Sequence, residues 1–115
     1  MVDNVTTLAL AWYFTRDSRY ARHGAHLVDV YFLNESTSML PSLQYAQNGY
    51  KYGLIDWKDL YYFLDAVTLL HRSGELSDEK RTAMQRWCSH MGHWILQSDM
   101  GHDEARALNN VCMYV

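Results

Sequence analysis

Residues 8–33 read LALAWYFTRDSRYARHGAHLVDVYFL, and this stretch decides the fold class. Two segments with apolar residues at helical spacing flank a polar break at residues 16–18, where Asp17 or Ser18 can cap the second helix. The spacing predicts helices over about residues 3–15 and 19–33. Because the connection is so short, the two helices must pack antiparallel as a helical hairpin.

The rest of the chain continues this pattern after one long interruption. Residues 34–55 contain the single proline and two glycines and read as a long loop within the domain. A third helix is predicted from Trp57 to about residue 71, capped by Asp56 and ended at residues 73–74. A fourth begins after Ser77 and reaches about residue 96, and a last helix starts near Asp103 after a break at Gly101.

Helical spacing also predicts which residues face the core. The predicted inward residues are Leu8, Ala11, Trp12 and Thr15; Tyr20, Gly24, Leu27, Val28, Tyr31 and Phe32; Leu60, Phe63, Leu64, Val67 and Leu70; and Met84, Trp87, Cys88, Met91 and Ile95. We therefore expect a single all-α domain over residues 1–115, built from antiparallel helical hairpins.

Net charge, apolar runs, the first residues and the cysteines bear on which partners the chain can bind and on whether it is exported. The net charge of −3 argues against a nucleic-acid surface, and no apolar run reaches membrane-spanning length. The first residues show no signal peptide, because they lack a basic segment and a small-residue cleavage site. Cys88 and Cys112 have no metal or redox spacing, and they can either pair or remain free.

Several motifs in order resemble the alginate lyase domain family. Residues 8–21 and the loop PSLQYAQ at 41–47 match its opening, which reads L-A-L-A-Y-x-F-T-x-D-x-x-Y-A and then P-x-L-x-Y-A-Q. GLIDWKDL at 53–60 and LSDE at 76–79 follow. GHDEARALNN at 101–110 is similar to the family's G-x-x-E-A-x-x-x-N-N-H-G. The resemblance covers nearly the whole chain.

This resemblance implies a fold and a chemistry. It implies part of an α/α toroid that cleaves an acidic, uronate-containing polysaccharide by β-elimination, secreted or periplasmic, without metal or organic cofactor. Asn110 matches the family's asparagine that neutralises the substrate carboxylate, and Asn109 supports it. Tyr45 and Gln47, in the loop motif, are candidate substrate contacts.

The chain departs from the family at the next position. Val111 stands where the family has the histidine base, and valine cannot accept a proton. The tyrosine and arginine positions that follow in the family have no counterpart in this sequence. We therefore expect a truncated domain that lacks the base and the acid and is inactive alone.

Other readings remain open. The chain can be a non-catalytic helical remnant that binds a glycan or a partner, and open helix edges would favour self-association. A glycoside hydrolase would need a carboxylate pair, but helix capping explains the candidates Asp56, Asp59, Asp78 and Glu79. His90 and His93 lie one turn apart without a third metal ligand, so packing explains them better.

Overall fold

The computed structural model describes residues 1–42 and 57–106, without the side chains of Glu104 and Ala105. All regular elements in these ranges are helical, as the sequence predicts. They are α1 (Val2–Thr15), α2 (Ser18–Val28) continued by a π-helical turn (Asp29–Leu33), α3 (Leu60–Arg72), α4 (Asp78–Gln97) and α5 (Asp99–Arg106).

The chain divides into two compact units. The first joins Met1–Leu40 with Asp59–Arg86, and the second joins Pro41–Lys58 with Trp87–Val115. Helix α4 therefore contributes its first part to one unit and its second part to the other. The single domain over residues 1–115 stays a prediction.

A two-residue connection closes the hairpin of α1 and α2. Arg16 takes the left-handed conformation with φ 58°, and its N–H donates to the Trp12 carbonyl at 2.7 Å, which ends α1. Asp17 then caps α2, because its carboxylate accepts the Arg19 N–H at 3.0 Å. The predicted Asp17 cap is confirmed.

Helix α2 lies close to its neighbours at Gly24, which is buried as predicted. A Cβ added at Gly24 would lie 2.9 Å from Leu70 Cδ2 on α3 and 3.5 Å from Leu8 Cβ on α1. The tighter of these contacts is with the end of a leucine side chain, which can rotate away. Near the end of this helix, the rings of Phe32 and Phe63 pack with centroids 4.9 Å apart. Burying each such ring contributes roughly 1.5–3 kcal/mol.

The inward faces of the first three helices match the prediction in part, since Gly24, Val28, Phe32, Phe63, Val67 and Leu70 are buried. Thr15, Tyr20, Tyr31 and Leu64 are predicted to face the core, but they are exposed. Alanines that the prediction did not include, Ala9, Ala21, Ala25 and Ala66, are buried as well. The buried apolar residues of this unit are Val5, Ala9, Ala21, Ala25, Val28, Phe32, Phe63, Ala66, Val67, Leu70, Leu76 and Met84.

Helix α3 starts three residues later than predicted. Residues 57–59 form a turn, and Asp59 is the N-cap residue, whose carbonyl accepts the N–H groups of Tyr62 and Phe63 at 3.1 and 3.3 Å. Asp56, the predicted cap, lies outside the described residues. The predicted end at residues 73–74 is confirmed, because Gly74 adopts φ 85°, which a glycine does without strain.

Helix α4 follows the prediction closely. Ser77 Oγ accepts the Lys80 N–H at 3.3 Å, which confirms the predicted cap. Met84, Trp87 and Met91 are buried as predicted, and Cys88 and Ile95 are half-buried. No helix in residues 1–42 and 57–106 combines the length and hydropathy that crossing a bilayer requires.

Candidate functional site

The four predicted site residues lie outside the part of the chain that the structure describes. Tyr45 and Gln47 belong to residues 43–56, and Asn109 and Asn110 belong to residues 107–115. Their roles therefore stay predictions. The structure does describe the two supports from which these segments extend, which are the π turn with residues 34–40 and the corner between α4 and α5.

The first support is the π turn at the end of α2. The Asn34 N–H donates to the Asp29 carbonyl at 2.8 Å, one residue further back than in an α-helix. The Val30 carbonyl is thereby released from its α-helical partner and accepts the Thr37 hydroxyl at 2.6 Å. Helical periodicity does not reveal such a turn, since its side chains follow the α-helical pattern up to the bulge.

The start of the long loop is tied back to this turn. Asn34 Oδ1 accepts the Ser36 N–H at 2.9 Å, and the Met39 N–H donates to the Tyr31 carbonyl at 2.9 Å. Side-chain bonds of this kind fix a turn locally without any further packing. Residues 34–40 are therefore held in place ahead of the segment that carries Tyr45 and Gln47.

The second support is the corner between α4 and α5. Ser98 caps α5, because its Oγ accepts the Gly101 N–H at 2.9 Å and its carbonyl accepts the His102 N–H at 3.0 Å. The predicted break at Gly101 is wrong, since α5 begins at Asp99 and includes this glycine. The break lies at Ser98 instead.

Gly101 is required here for space. A Cβ at this position would lie 2.0 Å from the Ile95 carbonyl oxygen and 2.7 Å from the Ile95 carbonyl carbon. The exposed His102 adds a bond across the same corner, as its Nε2 donates to the Leu96 carbonyl at 2.8 Å. The corner thus fixes how α5 leaves α4, and α5 leads to the segment that carries Asn109 and Asn110.

The alternatives considered from sequence find little support in the described ranges. Asp78 Oδ1 lies 2.7 Å from His71 Nε2, so this carboxylate pairs with a histidine rather than with a second carboxylate. The Nδ1 of His93 faces the Ser89 carbonyl at 3.2 Å. Within residues 1–42 and 57–106, no three His, Cys, Asp or Glu side chains cluster as metal ligands.

An exposed pair of tyrosines lies at the start of α3. The rings of Tyr61 and Tyr62 have centroids 4.0 Å apart, and each side chain is about half exposed. A hydrogen bond with Tyr62 raises the pKa of Tyr61 from 10.0 to about 12, so this phenol keeps its proton even in mildly alkaline solution. The pair offers ring surface and hydroxyl groups to solvent, which suits contact with a sugar.

A pocket of about 430 Å³ opens between the carboxyl ends of α1 and α3. Its lining residues are Trp12, Tyr13, Arg16, Leu69 and Arg72. Sequence reasoning missed this pocket, although one signal was present. With α1 ending at Thr15 and Asp17 capping α2, Arg16 must make the turn alone.

A second concave surface, along α2, is less suited to an anion. It is lined by Arg19, Arg22, His23 and His26. Both guanidinium groups already have carboxylate partners, since Arg19 lies 2.7 Å from an oxygen of Asp17 and Arg22 lies 3.4 Å from one of Glu75. The surface therefore presents less unbalanced positive charge than its composition suggests.

Comparison with known proteins identifies the family. The alginate lyase family model matches residues 1–114. A crystal structure of an alginate lyase from Bacteroides ovatus superposes with a TM-score of 0.85 at 32% sequence identity, covering 95% of this chain and 31% of that chain. The chain thus spans about a third of the length of that enzyme, 31%. Among curated proteins none matches. The likeness confirms the predicted all-α, alginate-lyase-like fold, and the chain belongs to the alginate lyase family.

Proposed function

We propose that this chain is a polysaccharide-lyase-like protein that binds a uronate-containing polysaccharide such as alginate or glucuronan. The observation that carries the proposal is the family match over residues 1–114, together with the structural likeness to the Bacteroides ovatus enzyme at 32% identity. An identity of this level over 95% of the chain relates sequence as well as fold. Family membership supports a uronate polysaccharide as the proposed substrate and a proposed location outside the cell or in the periplasm.

The reaction proposed for the family is a β-elimination. A base removes the proton at C5 of the uronate, the electron pair forms a double bond to C4, and the C4–O bond breaks as an acid protonates the departing oxygen. The negative charge that develops on the carboxylate must be stabilised for C5 to lose its proton. Asn110 is the proposed donor to that carboxylate, with Asn109 in support.

The isolated chain is proposed to bind without eliminating. Val111 occupies the position of the family's histidine, and a hydrocarbon side chain takes up no proton. An amide donor such as Asn110 can stabilise negative charge on the substrate carboxylate, but without a base that charge does not develop. The alternative function is a non-catalytic helical remnant that binds a glycan or a partner, with exposed helix edges available for the contact.

Substrate contact by Tyr45 and Gln47 is a further part of the proposal. What supports it is the set of hydrogen bonds that holds residues 34–39 against the π turn, immediately ahead of this loop motif in sequence. Loops held on a rigid scaffold commonly carry binding residues. A tyrosine ring can stack on a sugar face while the glutamine amide bonds hydroxyl groups.

Self-association is the partner-binding version of the alternative. Helix α1 exposes Leu10, Tyr13 and Phe14, and Phe14 is 78% exposed. Adjacent large apolar side chains at the surface favour burial against another protein. Sedimentation of the purified chain at increasing concentration tests this alternative, and a monomer at all concentrations contradicts it.

The test of the proposed function combines binding with product formation. Alginate and glucuronan are titrated into the folded chain, while fluorescence reports binding and ultraviolet absorbance reports unsaturated uronate. We expect saturable binding, a flat absorbance trace and weaker binding by Asn110→Ala. Asn4→Ala, at an exposed position of α1, is the matched control and should bind as the native chain does. Absence of binding to either polysaccharide by a chain that circular dichroism shows to be folded would refute the proposal.

A further inference from the structure

We infer that the pocket between the carboxyl ends of α1 and α3 binds a uronate sugar, with Arg16 and Arg72 holding its carboxylate. The sugar's identity as a uronate rests on the proposed function. The pocket itself rests on the geometry of described residues alone. None of its residues was a predicted site residue.

The pocket carries positive charge. Arg16 and Arg72 both line it, and neither forms an ion pair with a carboxylate in residues 1–42 and 57–106. The nearest acidic residue in sequence, Asp17, is held by Arg19, with a guanidinium nitrogen 2.7 Å from its oxygen. A guanidinium group can form two parallel N–H···O bonds with a carboxylate, and this pocket has two such groups in its lining.

Two aromatic rings lie beside Arg16 in the pocket. The Arg16 guanidinium carbon lies 5.0 Å from the centre of the Trp12 ring and 5.1 Å from the centre of the Tyr13 ring. Both distances suit a cation–π contact, which fixes the guanidinium beside the rings. A ligand whose carboxylate meets Arg16 therefore brings its carbon skeleton against aromatic surface. A sugar acid has both parts, whereas a bare anion has only the first.

The backbone of Arg16 adopts a conformation that residues other than glycine rarely take. Within the described ranges it is the non-glycine residue with positive φ, at 58°. Glycine adopts this conformation at a helix end without strain, whereas a side chain with a Cβ is disfavoured there. Residues held in disfavoured conformations tend to mark functional positions. The Arg16 side chain lines the pocket, and a glycine at this position would contribute no side chain to it.

The size of the pocket fits a small ligand. Its volume of about 430 Å³ falls within the range of sites that hold small molecules, roughly 300–1,000 Å³. Leu69 adds an apolar patch to the lining. The combination of convergent charge, aromatic rings and an apolar patch is typical of a site for an amphipathic ligand such as a sugar acid.

The experiment uses a ligand that cannot undergo elimination of a glycosidic bond. Methyl β-D-glucuronide is titrated into the isotopically labelled chain, and the Trp12 indole and arginine Nε–H signals are followed by NMR. Methyl β-D-glucoside differs only in carrying a hydroxymethyl group in place of the carboxylate, and inorganic sulfate supplies an anion without a sugar. We expect the glucuronide to shift these signals saturably and the other two probes to bind at least about tenfold more weakly.

Two variants test the residues. Arg16→Gly removes the guanidinium while giving the left-handed position the residue that suits it, so the fold should be retained. Arg72→Gln removes the other charge at a position with ordinary helical backbone. Each should weaken glucuronide binding about tenfold or more. Arg81→Gln, an exposed change on α4 with the same loss of charge, should leave binding unchanged.

The outcomes separate this inference from the proposed function. Trp12 indole shifts on glucuronide addition that persist in both pocket variants overturn the inference, as do equal shifts with the glucoside. Equal binding of sulfate shows a general anion site and also overturns it. If the chain fails to bind polysaccharide but its glucuronide shifts vanish in Arg16→Gly, the pocket stands and the proposed function falls. Asn110→Ala should leave the pocket signals unchanged.

Discussion

Replacing Gly101 with alanine should disrupt the corner that leads into the predicted site. The added methyl carbon would lie 2.0 Å from the Ile95 carbonyl oxygen, 2.7 Å from its carbonyl carbon and 2.9 Å from its Cα. All three are backbone atoms, so no side-chain rotation relieves the overlap. Because Cβ atoms essentially never approach within 3.0 Å, α5 must move by at least about 1 Å.

The energetic cost follows from the size of this movement. Forcing one extra carbon into a packed contact typically destabilises a protein by about 1–3 kcal/mol, and here the rigid neighbour places the cost toward the upper end. For a chain of this size, that loss lowers the melting temperature by on the order of 10 °C. Displacing the support of Asn109 and Asn110 by about 1 Å should also weaken polysaccharide binding.

The matched control is Gly92→Ala in the same unit. A Cβ at Gly92 meets no atom within 4 Å, and the residue lies inside α4. Alanine is favoured over glycine within a helix by up to about 1 kcal/mol, so this variant should be slightly stabilised. Thermal unfolding of both variants by circular dichroism measures the difference. Equal stability of Gly101→Ala and the native chain would refute the close approach.

Three further predictions concern the Thr37 hydrogen bond, the Asp17–Arg19 pair and the Cys88 thiol. Thr37→Val removes the hydroxyl that donates to the Val30 carbonyl, so urea unfolding should show a loss of about 0.5–1.5 kcal/mol, and an unchanged midpoint contradicts the tether. The hydrogen bond with Arg19 lowers the pKa of Asp17 from 3.8 to about 2. Its stabilisation is therefore present above pH 3.8 and lost toward pH 2, so the difference in melting temperature between Asp17→Asn and the native chain should vanish over that window. Burial raises the pKa of the Cys88 thiol, so iodoacetamide should modify it more slowly than in urea, and equal rates would contradict this.

Local sequence signals predicted the helix boundaries well where a single side chain decides them. The caps at Asp17 and Ser77 accept backbone N–H groups as predicted, and Gly74 ends α3 with positive φ. Each of these residues acts on backbone groups a few positions away. No knowledge of the tertiary structure is needed to predict such contacts.

The inward faces were harder to predict because packing distance decides them. A search for large apolar residues at helical spacing selects Tyr20 and Tyr31, yet both are exposed, while Ala21 and Ala25 are buried. At Gly24 the Leu70 side chain comes close to α2, so the position is filled by a neighbour's side chain and not by its own. The prediction of Gly101 as a break failed for a related reason, since its lack of a side chain serves a tertiary contact.

The family was predicted from motif order, while the pocket required the structure. Arg16 and Arg72 are 56 residues apart in sequence and meet only because α1 and α3 end at the same place. No spacing rule connects them. Conversely, the motif that carries Asn109 and Asn110 is readable from sequence alone, because it lies in one short segment.

The most direct test of the account is titration of glucuronan into the folded chain with ultraviolet absorbance recorded in the same cell. The account predicts saturable binding that weakens in Asn110→Ala, with no unsaturated uronate formed, because Val111 cannot take the C5 proton. Product that forms with the native chain and disappears in Asn110→Ala would contradict the consequence assigned to Val111. A folded chain that binds no uronate polysaccharide would contradict the proposed function itself.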